Sequence, residues 1–195
     1  MKLLWSAILC AALAAQMQAG NLDANKRDQL VLETLLQEDR GQPGYSVVPA
    51  QSMTASFVDT DEAGLAQTRR YVTKKLGLTE AEFQRLFQRL LERNRAAVQL
   101  SLSSAPDKGY VIETATKSDE YVNQGAPGWL AWLRDHPDAR DVTRVSLPAY
   151  DAKTGLILVH TIRQKPVMHG AGYLVLYKWK GDKLVRIGRV TLWVC

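Results

Sequence analysis

Gly170-Ala-Gly-Tyr-Leu-Val-Leu-Tyr-Lys-Trp-Lys-Gly-Asp-Lys-Leu-Val-Arg-Ile-Gly-Arg-Val-Thr-Leu-Trp-Val-Cys195 carries the clearest structural signal in this chain of 195 residues. Residues 173–180 and 184–194 are rich in aromatic and β-branched side chains, which suit a pleated, half-buried surface. Gly181-Asp182 between them is turn chemistry, with a glycine able to take the positive φ of a two-residue hairpin. Side chains alternate across a strand. Tyr173, Val175, Tyr177 and Trp179 therefore share one face, and Leu174, Leu176, Lys178 and Lys180 the other. Both faces are apolar near the middle, which predicts a central strand covered on both sides.

Two further strands are expected before it, at 143–149 and 156–163, joined by the turn Asp151-Ala-Lys-Thr-Gly155. Together these make a four-strand C-terminal β-meander. Upstream, the apolar spacing predicts helices at 23–39 and 61–76. Gly77 is placed as the left-handed residue that ends the second. Thr79-Glu-Ala-Glu82 is a capping box opening a third helix, with Phe83, Leu86, Phe87, Leu90 and Leu91 on one face. Arg85, Arg89 and Arg93 fall on the face expected to meet solvent. A strand at 110–115, a short helix through Tyr121 and a helix carrying Trp129, Trp132 and Leu133 complete the pattern. The expected fold is α+β, with N-terminal helices packed on an antiparallel sheet.

Residues 1–19 read as a cleaved secretory signal peptide: Lys2 is basic, 3–13 are apolar, and a small-residue exit ends at Ala19. The apolar run is too short to span a membrane. A single domain over 20–195 follows, with a periplasmic or extracellular location. Cleavage would take one lysine and no acid, lowering the net charge from +5 to +4. That is a mild basic excess. Of two cysteines, Cys10 falls in the leader, so Cys195 would have no internal disulfide partner and stands as a candidate intermolecular thiol. The helices meeting at 76–79 superficially resemble a helix-turn-helix, but export removes them from the chromosome, so no nucleic-acid partner is expected.

Gly128-Trp129, Pro137, Val145-Ser146-Leu-Pro-Ala-Tyr150, the apolar strand at 156–162, Gly170-Ala-Gly172 and Trp193 together resemble a group of secreted bacterial domains of unknown function. Those domains end in a Gly-x-Gly, an apolar strand, a hairpin and a terminal Trp. The resemblance covers residues 86–195 and implies no activity. Many members carry a cysteine where this chain has Val167-Met168-His169.

No tight metal-ligand spacing is present. His160 and His169 flank a short loop and are the candidate metal pair, with Glu113 or Asp151 as a third ligand. No cofactor is expected. Ser146, His160 and Asp151 all fall in the meander and are the candidate catalytic set for a small hydrolase, although Ser146 lacks a Gly-x-Ser-x-Gly setting. Arg163, Lys165, Lys178, Lys180, Lys183, Arg186 and Arg189 make the meander basic. With Tyr173, Tyr177 and Trp179 they suggest an anion or glycan surface. Its candidate binding residues are Tyr177, Lys178, Trp179, Lys180, Arg186 and Arg189. The pattern favours a non-catalytic binding or inhibitory module for a protein or envelope component, with a small hydrolase or metal-dependent enzyme using His160/His169 or Ser146 as the alternative.

Overall fold

A computed structural model describes residues 24–38, 42–54, 62–166 and 169–195. Residues 1–19, and Asp23 and Asp61 at the starts of the first two expected helices, lie outside that set. The elements in order are α1 (Ala24–Gln37), β1 (Tyr45–Pro49), α2 (Glu62–Leu76), α3 (Glu80–Arg93), a 3-10 turn (Pro106–Lys108), β2 (Tyr110–Glu113), α4 (Ala115–Asn123), α5 (Ala126–Asp135), β3 (Ala139–Val145), β4 (Ala149–Asp151), β5 (Leu156–Lys165), β6 (His169–Lys180) and β7 (Lys183–Val194).

The seven strands form one sheet in the order β2-β1-β3-β5-β6-β7, with β4 pairing β5. From β3 to β7 the pairing is antiparallel, so the expected meander is present. Its first strand is broken in two. Ser146-Leu-Pro148 interrupts it, and β3 and β4 pair with different parts of β5. Proline cannot donate to a ladder, which accounts for the break. β1 runs parallel to both β2 and β3, making the sheet mixed. Residues 96–102 add only a bridge between Gln99 and Gln51.

Both faces of β6 are covered, as its alternation requires. Val175 and Tyr177 join Val48, Val145, Ile157 and Val159 under α1, against Val31, Leu32, Leu35 and Leu36. Each of those α1 side chains is at most 3% exposed, and each contributes about 2 kcal/mol of apolar burial. Leu174 and Leu176 join Leu158 and Val190 on the opposite face, against Val72, Leu76, Phe83, Leu86 and Leu90 of α2 and α3. A third cluster holds Tyr121, Trp129 and Trp132 over Val47 and Val142. The two indoles meet edge to face, with centroids 5.4 Å apart. Leu133, expected beside them, is 44% exposed, because the face of α5 that docks runs through Gly128, Trp129 and Trp132. A Cβ on Gly128 would come within 2.5 Å of the carbonyl oxygens of Glu120 and Tyr121, so glycine permits α5 to sit this close to α4.

Local signals set the ends of these elements. Gly77 has φ of 66° after α2, and Gly181 has φ of 63° in the β6–β7 turn. The Thr79 side chain accepts from the Glu82 amide at 3.2 Å, and the Glu82 carboxylate accepts from the Thr79 amide at 2.8 Å. The arginines of α3 do not form a solvated face. Arg85 pairs with Asp151 at 2.7 Å, and Arg89 donates to the Tyr150 carbonyl. Arg93 pairs with Asp28 at 2.6 Å and donates to the Pro148 carbonyl. These contacts clamp α3 to β4 and to α1.

β7 is an edge strand with two extra residues in its ladder, Ile187 and Leu192. Exposed Lys183, Arg186 and Arg189 lie along it. Bulges and cations both discourage edge-to-edge pairing with another chain.

Candidate functional site

The candidate catalytic residues lie near one another in the chain but have separate tasks. His160 is fully buried. Its backbone amide donates to Ser146 Oγ at 2.9 Å, and the Ser146 amide donates to the His160 carbonyl at 2.9 Å. The serine hydroxyl thus helps carry β5 across the break between β3 and β4. Burial pushes the imidazole down to about 3, so it is neutral at pH 7. Asp151 pairs with Leu156, four ladder positions from His160, at the β4–β5 turn. Its carboxylate accepts from Arg85, from Thr154 Oγ1 at 3.0 Å and from the Lys153 amide at 3.2 Å. The Arg85 hydrogen bond is the main reason that Asp151 is held at about 2. Ser146 and Asp151 are therefore structural in their contacts, and the expected Ser–His–Asp grouping is not assembled.

The histidine pair is also separated. His160 aligns with Leu174 and His169 with Lys165, five ladder positions apart. At about 3.4 Å per residue that is roughly 17 Å, too far to share an ion. Among the described residues no group of three or more His, Cys, Asp or Glu side chains could hold a metal. Glu113 lies beside His136 instead, 3.5 Å from Nε2.

The expected binding surface is divided by the sheet. Tyr177 is fully buried under α1, and its hydroxyl donates to Glu38 at 2.6 Å. Burial, followed by Glu38, pushes its pKa up. Arg186 pairs with the same carboxylate. Trp179 is half-buried against the α1 core. Lys178 and Lys180 belong to the opposite face. Of the six residues, Arg189 alone lines a broad groove on the α1 face of the sheet.

That groove, of about 660 Å³, crosses the α1 face at the end of the strands away from the hairpin. Arg163 and Lys165 come from β5, Tyr173 from β6 and Arg189 from β7. The register places Arg163 opposite Ala171 and Arg189 opposite Val175, on either side of Tyr173 along β6. Arg140 enters from β3, with Asp141 beside it, while Gln42, Pro43, His169 and Cys195 complete the rim. The lining side chains thus include four cations against one carboxylate. Asp141 is buried and accepts from Thr143 Oγ1 at 2.6 Å.

The Arg189 guanidinium lies 3.8 Å from the centroid of the Tyr173 ring. At that distance the guanidinium is in cation–π contact with the ring, which restrains the Arg189 side chain at the groove. Burial pushes the pKa of Arg163 down, and the nearby charge of Arg189 pushes it further; Tyr173 and Glu38 act the other way. Arg140 donates to the Gly109 carbonyl at 3.3 Å, which ties the β3 side of the groove to the turn before β2. Cys195 is exposed, and its amide and carbonyl are bonded to Gly170. Arg140 is the groove cation that sequence patterning does not single out. It lies outside the meander, and only the β3–β5 pairing brings it to Arg163.

A second polar cluster joins α4, α5, β1 and β2. Tyr45 Oη is 3.3 Å from His136 Nδ1, Lys117 bridges Glu113 and Asp135, and Tyr121 donates to Asp135 at 3.0 Å. Arg134, then Tyr121, hold Asp135 at about 2. Its members face one another and close the α4–α5 cap.

The fold and groove together define an α+β domain that presents a cationic cleft on one face of a mixed sheet. Comparisons with known protein families, curated proteins and solved structures find no match to this chain. Among the described residues no helix is long and apolar enough to cross a membrane.

Proposed function

We propose that this chain is an exported, non-catalytic binding module that recognises an anionic group on a protein or envelope component through the groove between β3 and β7. The observation that carries this reading is the set of four cations, Arg140, Arg163, Lys165 and Arg189, around a cleft of ligand size with a single carboxylate side chain, Asp141. Arg163 lies in the field of Arg189, and like charges gathered in a cleft concentrate at binding sites. The engagement of Ser146 and Asp151 in structural hydrogen bonds supports binding over hydrolysis. Tyr173 is capped by Arg189 and Tyr177 is buried, which favours an anion over a stacked sugar ring. Export rests on residues 1–19.

The test is retention of a partner from an envelope extract by residues 20–195. The wild type is compared with Arg163→Glu/Arg189→Glu and with Lys180→Glu on the opposite face. A partner retained by the wild type and Lys180→Glu, lost by the folded double variant and eluted by salt is the expected result. Equal retention by all three would refute the groove as the binding surface.

A further inference from the structure

Resting on the reading of the groove as the binding surface, the geometry points to a terminal phosphoryl group as its ligand. We propose that a phosphate monoester sits between Arg163 and Arg189, with Lys165 on its open side. Arg163 and Arg189 come from strands on either side of β6 and line the same groove as Tyr173. The Arg189 guanidinium is restrained by its contact with that ring, 3.8 Å from the centroid. A guanidinium offers a planar fork of N–H donors. One carboxylate has a single charge and two oxygens, which one such fork can satisfy. A phosphate monoester carries about −1.5 to −2 charges and three terminal oxygens, enough to accept from two forks and an ammonium at once. Arg163 is also partly desolvated and sits in the field of Arg189. A dianion relieves that repulsion more than a monoanion does. Exposed Lys165 supplies a further, flexible cation.

The experiment uses the mature chain, residues 20–195, with calorimetric titration of inorganic phosphate and of hexaglutamate. Flotation is run with phosphatidylcholine vesicles doped with phosphatidic acid, a monoester, or phosphatidylglycerol, a diester. The variants are Arg163→Gln, Arg189→Gln and, as a control on the other face, Lys178→Gln, each checked for its unfolding midpoint. The expected result is saturable binding of phosphate or of phosphatidic-acid vesicles, weakened at least about tenfold by either arginine variant and unchanged by Lys178→Gln. Binding of soluble phosphate identifies a diffusible ligand. Binding only to phosphatidic-acid vesicles identifies a lipid-borne one. Equal binding to both doped vesicles would overturn the proposal in favour of a general anionic surface. Hexaglutamate binding that needs the same arginines, without phosphate or phosphatidic-acid binding, would overturn the phosphoryl assignment and leave the proposed function standing. No binding to any probe would overturn both.

Discussion

The indole of Trp193 lies directly over the backbone of Gly172, its partner across the β6–β7 ladder. A Cβ on Gly172 would fall 2.7 Å from Cε2 of that indole and closer still to Nε1. Gly170 is also close, with its Cβ position 3.3 Å from Trp193 Cζ3. The Gly-x-Gly motif is thus a saddle for a tryptophan. Gly172→Ala meets the middle of a rigid ring system, so it should destabilise the fold by about 1–3 kcal/mol. In urea unfolding, Trp193→Ala should largely remove the penalty of Gly172→Ala. Equal penalties in the two backgrounds would show that the ring does not impose the glycine.

His160 should make the protein acid-sensitive. Unfolded, its imidazole takes a proton near the ordinary 6.5; folded and buried, only near 3. Protons therefore favour the unfolded chain between these values, and stability falls as pH drops from 6.5 toward 3. The contribution between pH 7 and pH 5 is about 2 kcal/mol. His160→Leu should flatten the urea-derived stability profile by that amount over this interval. An unchanged slope would place the acid sensitivity elsewhere.

Asp151 acts at lower pH. Its folded pKa of about 2 lies below the ordinary 3.8, chiefly through Arg85. The stabilisation is complete above pH 3.8 and is lost as pH falls through 2. It amounts to about 2 kcal/mol for this buried carboxylate. Asp151→Asn should cost that much at pH 7, and the gap to the wild type should close toward pH 2. A gap independent of pH would mean that the turn hydrogen bonds, rather than the charge, carry the effect.

The meander, the covered central strand, the capping box and the helical core faces were legible because each depends on local periodicity or on residues three to four apart. The parallel docking of β1 onto β2 and β3 left no such trace, since their pairing joins segments separated by about 60 to 95 residues. Alternation assigns Tyr177 to the face it occupies, but the residue is buried there. Alternation says which side a side chain takes and cannot say that α1 covers it there. Lys178 and Lys180 looked like neighbours of Arg186 and Arg189 because charge was counted along the chain, whereas the pleat puts them on the other side of the sheet. Arg163, Lys165 and Arg189 were visible as basic residues. Their convergence with Arg140 depended on three strand pairings and on where α1 stops.

The most direct test is the map of amide chemical-shift changes when residues 20–195 are titrated with an anionic probe, inorganic phosphate or hexaglutamate. The account predicts saturable changes concentrated at Arg140, Arg163, Lys165, Tyr173 and Arg189, and small changes at Lys178, Lys180 and Lys183. Changes centred on the hairpin, or spread over exposed cations without saturation, would contradict it.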